Sequence, residues 1–179
     1  DSLAVRGTVI GPMSAVGRIE GRNRPEMVGV YFRPARANAF LRVLMSELTD
    51  RAVAIEDLWG GAGAHLPTEL IELDEAGRIA RLESVLLRHL AHDRRPAGSV
   101  DVYRLAASVL RRPGRLTVDA MSQAAGVSRQ HLARQFREHV GIAPKLYIRL
   151  ARFQSGLSHA GTRYRVDWAD AAADLGYAD

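Results

Sequence analysis

One glycine constrains this chain more than any other residue. In VDAMSQAAGVSRQHLARQFREHVGIAP, residues 118–144, Gly126 separates two runs that both carry helical spacing. Glycine inside a helix costs about 1 kcal/mol against alanine, so the position reads as a turn between two helices. Upstream, Val118, Met121, Ala124 and Ala125 recur at helical intervals, and Gly126 can take the left-handed conformation that closes a helix. Downstream, Ser128 offers an N-cap hydroxyl. Leu132, Phe136 and Val140 then lie four apart, which predicts a core-facing stripe and leaves Arg129, Gln130, Ala133, Arg134 and Arg137 on the outer face.

Helix, glycine turn and helix alone fit an ordinary helical hairpin with a solvated basic face. They also fit a helix-turn-helix whose second helix enters the major groove of DNA. The residue types have a geometric reason in the second case: arginine bonds guanine O6 and N7 with two N–H groups, and glutamine does the same for adenine.

Charge bears on the partner. The chain carries a formal +5. Residues 1–97 hold 13 Lys/Arg against 13 Asp/Glu, so the whole excess lies beyond them. Between Arg104 and Arg165 there are 12 basic residues, opposed only by Asp119 and Glu138. A polyanion is the natural partner for such a segment.

The pattern also repeats. VDAMSQAAGVS at 118–128 aligns with WADAAADLGYA at 168–178, pairing Val118 with Trp168, Gly126 with Gly176 and Val127 with Tyr177. The second copy begins the motif and stops at Asp179, where a second recognition helix should start. Between the copies, PKLYIRLARFQSGL predicts a helix from Pro144, a residue suited to the first helical position, to about Leu157. Its Leu146, Ile148, Leu150, Phe153 and Leu157 supply apolar contacts for two neighbours. Two reading heads on such a spacer would enter successive major grooves on one face of DNA.

The first half is less distinctive. Val5 to Ile10 and MVGVYF at 27–32 read as strands, broken by turn signals. Ala37 to Met45, Pro67 to Leu73 and Gly77 to Leu90 read as helices. The last has Ile79, Leu82, Val85, Leu86 and Leu90 on one stripe, as a core or dimer helix would. AHDRRPAGS at 91–99 is the linker candidate, followed by a helix from Val100 to Leu110 with RRPGR as its stop. The opening residues lack the basic start and continuous apolar core of a signal peptide, and read like a strand joined in mid-fold.

Other chemistry is thin. The chain has no cysteine, which removes disulfides, thiolate metal sites and cysteine nucleophiles. His89 and His92 are spaced for a metal but have no third ligand, so no metal or cofactor is expected. WGGAGAH at 59–65 lacks the Lys-Ser/Thr ending of a phosphate-binding loop and reads as a flexible turn. Glu69, Glu72, Asp74 and Glu75 read as a solvated face, and Trp59 and Trp168 as core anchors. No apolar run approaches the ~20 residues of a membrane span. A soluble chain in a reducing cytoplasm is expected, with no membrane partner and no enzyme activity.

Taken together, GVSRQHLARQFREHVGIAPKLYIRLARFQSGL and the later DWADAAADLGYAD resemble the DNA-binding domain of AraC/XylS-type transcription regulators over roughly residues 100–179. The serine after Gly-Val, the Leu-x-x-x-Phe pair, the Gly-x-x-Pro stop, the linker-helix Arg-Phe and the closing Leu-Gly-Tyr-x-Asp all coincide. Ser122 and Ser155-Gly156 depart from the usual alanines but are small. The family pattern continues past Asp179 into a second recognition helix, so this chain is expected to bind more weakly than a longer version.

The resemblance implies an all-α domain, residues 96–179, with two helix-turn-helix units joined by a linker helix, the second incomplete. The recognition helix, Ser128 to Val140, would read promoter DNA. Arg129, Gln130 and Arg134 would meet base edges and Ala133 a thymine methyl, while Ser128, Arg137 and Lys145 would hold phosphate. More weakly, residues 1–95 resemble the sensory half of one AraC-type subgroup. That implies an α+β domain, a partial β-barrel plus helices, for sensing a small-molecule effector or forming a homodimer. AraC-like DNA-binding halves also occur fused to DNA alkyl-repair domains, but those need cysteines that this chain lacks. A different class of reading makes the N-terminal domain a binding module for a small molecule or protein, without sequence-specific DNA binding.

Overall fold

The computed structural model describes residues 6–15, 27–90 and 100–161. The linker candidate at 91–99, the second motif copy at 168–178, and His92 and Trp168 with them, lie outside the described residues. The chain divides into two compact units, Asp1–Ser99 with Glu138–Gly141, and Val100–Arg137 with Ile142–Asp179.

In the first unit, β1 (Thr8–Ile10) pairs antiparallel with β2 (Ala52–Ala54), Val9 opposite Val53. The ladder is extended by Gly11 N–H to the Arg51 carbonyl at 2.9 Å and Ile55 N–H to the Gly7 carbonyl at 3.0 Å. Glycine is required at position 11, because a Cβ there would lie 1.8 Å from the Leu48 carbonyl oxygen. Between the strands run α1 (Asn38–Leu41) and a 3-10 turn, Met45–Glu47; after them come α2 (Ile55–Trp59), α3 (Gly61–Ile71) and α4 (Glu75–Leu90). Leu41, Met45 and Leu48 form the buried centre, with Val9, Val53, Leu58 and Trp59 packed on it. Trp59 is a core anchor: its Nε1–H bonds the Phe40 carbonyl at 3.2 Å, and its ring stacks on His89 at 4.3 Å.

Six expectations for this unit change. Residues 27–32 form no strand; Met27 is 80% and Tyr31 90% exposed. β-branched residues favour a pleat only when a partner strand and a buried face accept them, and this run has neither. A two-stranded sheet is all the β structure among the described residues, which show no barrel. The helix expected from Ala37 to Met45 ends at Leu41, because Arg42 turns left-handed with φ 58°.

The glycine-rich 59–65 is a helix junction, not a flexible turn. Gly60, φ 59° and ψ −139°, makes the corner and α3 begins at once, running through Pro67, where the helix was expected to start. Gly63 sits inside α3 because α3 packs hard on α2: a Cβ at Gly63 would lie 2.5 Å from the Ile55 carbonyl oxygen. On α4 the expected apolar stripe splits. Val85 is buried with Leu82 and Leu86 partly so, whereas Ile79, Leu87 and Leu90 are exposed. Arg81 takes part of the inner row instead, its guanidinium bonded to Glu69 at 2.6 Å.

The second unit is helical throughout its described residues. In α5 (Val102–Arg111) the Asp101 carboxylate caps the first turn by accepting from Arg104 N–H at 3.0 Å, and Val102, Ala106 and Val109 turn inward. Then follow α6 (Val118–Ala124), α7 (Arg129–Val140) and α8 (Pro144–Gly161). Phe136, Met121, Leu132 and Val109 are the largest fully buried side chains. Removing each from water stabilises the unit by roughly 1.5–3 kcal/mol. Tyr147 ties three helices together: its ring meets Phe136 edge-on at 5.8 Å, and its hydroxyl donates to the Ala106 carbonyl at 3.3 Å. Buried Ser122 fits the core because its hydroxyl donates back to the Asp119 carbonyl at 2.9 Å. Along α8, Ile148 and Ala151 are buried while Phe153 and Leu157 stay half exposed.

Candidate nucleic-acid interface

The turn between α6 and α7 is closed by backbone alone. Gly126 has φ 64°, its N–H donates to the Gln123 carbonyl, and the Val127 N–H reaches back to the Ser122 carbonyl, both at 3.1 Å. This pair of bonds is the Schellman closure, which needs a left-handed residue at the glycine position. Nothing lies within 4 Å of where a Gly126 Cβ would sit, so backbone conformation, not space, selects glycine.

Side chains then set where each helix starts. Thr117 Oγ1 accepts from Ala120 N–H at 3.1 Å to open α6, and Ser128 Oγ accepts from His131 N–H at 3.2 Å to open α7. These contacts satisfy donors that a helix start otherwise leaves unpaired.

With Leu132 and Phe136 fully buried, α7 presents Gln130, Arg134 and Arg137 to solvent. Arg134 Nη2 lies 3.4 Å from His131 Nδ1 on the same helix. Arg129 and Ala133 border this face and line an open groove with Val118, Asp119, Ala143, Pro144 and Lys145. Ser128 is exposed as the cap of α7, and Lys145 stands exposed on the first turn of α8, whose N-terminus brings the positive end of an 18-residue helix to the groove. The residues singled out in the sequence thus fall into two adjoining sets, an exposed helix face and a groove beside it.

Asp119 is the member that sequence reasoning missed. In the sequence it figures only as opposing charge, yet its Oδ1 forms an ion pair with Arg129 Nε. The 10-residue separation crosses a turn, and only the angle between α6 and α7 brings the two together. Among the described residues no group of three His, Asp or Glu side chains is placed to hold a metal ion.

The arrangement defines a class: a helix-turn-helix with a cationic second helix. Residues 112–149 match the family of bacterial regulatory helix-turn-helix proteins, AraC family. The protein carries an AraC-type helix-turn-helix, the DNA-binding unit of a transcription regulator. Residues 1–54 match a domain of unknown function, DUF6597. No curated protein and no solved structure matches the chain. No helix among the described residues is long and apolar enough to cross a membrane.

Proposed function

We propose that the protein reads promoter DNA sequence-specifically through the helix Ser128 to Val140, with residues 96–179 as the DNA-binding half and residues 1–95 as its regulatory half. The observation that carries this reading is the solvent-facing row Gln130, Arg134 and Arg137 on a helix whose other side is locked into the core. In this reading the basic segment steers the chain to DNA. Ser128, Arg137, Lys145 and the α8 N-terminus hold phosphate and fix the register. Arg129, Gln130 and Arg134 then meet base edges, and Ala133 touches a thymine methyl.

The regulatory half acts by binding a small-molecule effector or by pairing two copies. Pairing is favoured by α4, which exposes Ile79, Leu87 and Leu90 and begins at Glu75 while carrying Arg88 in its last turn. An antiparallel second copy would bring acidic start against basic end.

Binding selections on randomised duplexes test the reading. Arg134→Ala should cost about 1–3 kcal/mol at the selected site and relax preference at one base pair. Lys145→Ala should weaken binding uniformly and lower the salt slope by about 1. Unchanged base preference in the Arg134 variant would overturn the assignment.

A further inference from the structure

We infer that Asp119 is a specificity-determining residue that positions Arg129: it grips the guanidinium by Nε and leaves the Nη1/Nη2 edge for a guanine. The inference rests on the base-reading role proposed above for α7.

Arg129 occupies the first position of α7, where the positive end of the helix dipole disfavours a cation. Helix energetics therefore gives no reason for arginine there. Fold stability gives little more, since the side chains of Arg129 and Asp119 are 71% and 49% exposed and an ion pair in water adds little. What the pair does is restrict motion. An exposed arginine has many rotamers, and ordering them on binding weakens affinity. Holding Nε from the neighbouring helix orders the side chain before DNA arrives.

The chemistry of the fork fits this division. A guanidinium has five N–H donors in one plane. The Nε atom is ion-paired with Asp119 Oδ1. The Nη1/Nη2 edge carries the other four hydrogens, and a pair of them matches guanine O6 and N7. The surroundings permit an acid at this place, because Lys145 lines the same groove and offsets its charge toward the phosphates. Asp119 and Glu138 are the two acids between Arg104 and Arg165, and one of them is bonded to a candidate base reader.

The test is a duplex selection with the full chain and Arg129→Ala, Asp119→Ala, Asp119→Asn and the double alanine variant, with circular dichroism as the check on folding. The base pair at which Arg129→Ala loses guanine preference, expected at roughly 10-fold or more in the parent, should flatten to within about threefold in Asp119→Ala. Other positions should keep their preference. The double variant should lose no more than either single, and Asp119→Asn, which keeps an acceptor oxygen, should restore most of the preference. Asp119→Ala or Asp119→Asn binding every duplex more tightly with guanine preference intact would overturn the inference, leaving Asp119 a mere repulsive charge. A parent motif that Arg129→Ala does not change would overturn this inference and leave base reading standing. A parent that selects no motif would overturn both.

Discussion

The two units solve the same problem, where each helix should begin and end, in different ways. In the second, the chain carries its own punctuation: Asp101, Thr117 and Ser128 cap α5, α6 and α7, and Gly126 closes α6. In the first, the Asp74 carboxylate caps α4 by accepting from Gly77 N–H at 2.8 Å, but no side chain caps α1, α2 or α3. Three residues other than glycine, Ala35, Arg42 and Asp50, are bent into positive φ. Packing constrains residue choice there instead, as at Gly63 inside α3, where one helix presses on the backbone of another. Local code makes a helix pair whose geometry survives changes on its outer face. Packing makes elements that depend on their neighbours.

The largest expected effect probes the core that the second unit builds on its punctuation. Phe136→Ala should destabilise that unit by about 3–5 kcal/mol in denaturant unfolding followed by circular dichroism. A loss below about 1 kcal/mol would show that the core collapses around the gap.

Next comes a contrast in sign. Gly126→Ala places a Cβ on a left-handed residue and should cost about 1–2 kcal/mol. Arg42→Gly in the first unit relieves the same kind of strain and should leave stability unchanged or raise it by up to about 1 kcal/mol. Matching losses from both would erase the distinction between the units.

The smallest effect is a pH dependence in the first unit. Hydrogen bonds from the Ser14 hydroxyl and then the Ser14 N–H, each 2.6 Å, hold the Asp50 carboxyl below its ordinary range. A depressed pKa contributes stability that is present above the unfolded value and lost as pH falls through the folded one. Ser14→Ala should therefore flatten the acid limb of the stability curve; an unaltered limb would mean the contact is not made in solution.

The same contrast explains what was legible in the sequence. Gly126, Ser128 and the Leu132–Phe136 pair could be read directly, because each acts over three or four residues. The helix boundaries around Arg42 and Gly60 could not, because propensity loses to contacts made between distant segments. MVGVYF was misread for a related reason: a strand exists only where another accepts its hydrogen bonds. In the candidate interface, the outward row was legible by period, while Asp119 was hidden because its role depends on the angle between two helices.

The closure at Gly126 has a consequence for how such a reader changes over generations. The angle between α6 and α7 is written in main-chain bonds and in a glycine, and Gln130, Arg134 and Arg137 contribute nothing to that closure. The turn therefore does not dictate their identities. Substitutions in that outward row leave the turn's own bonds in place, so the vocabulary can drift while the grammar holds.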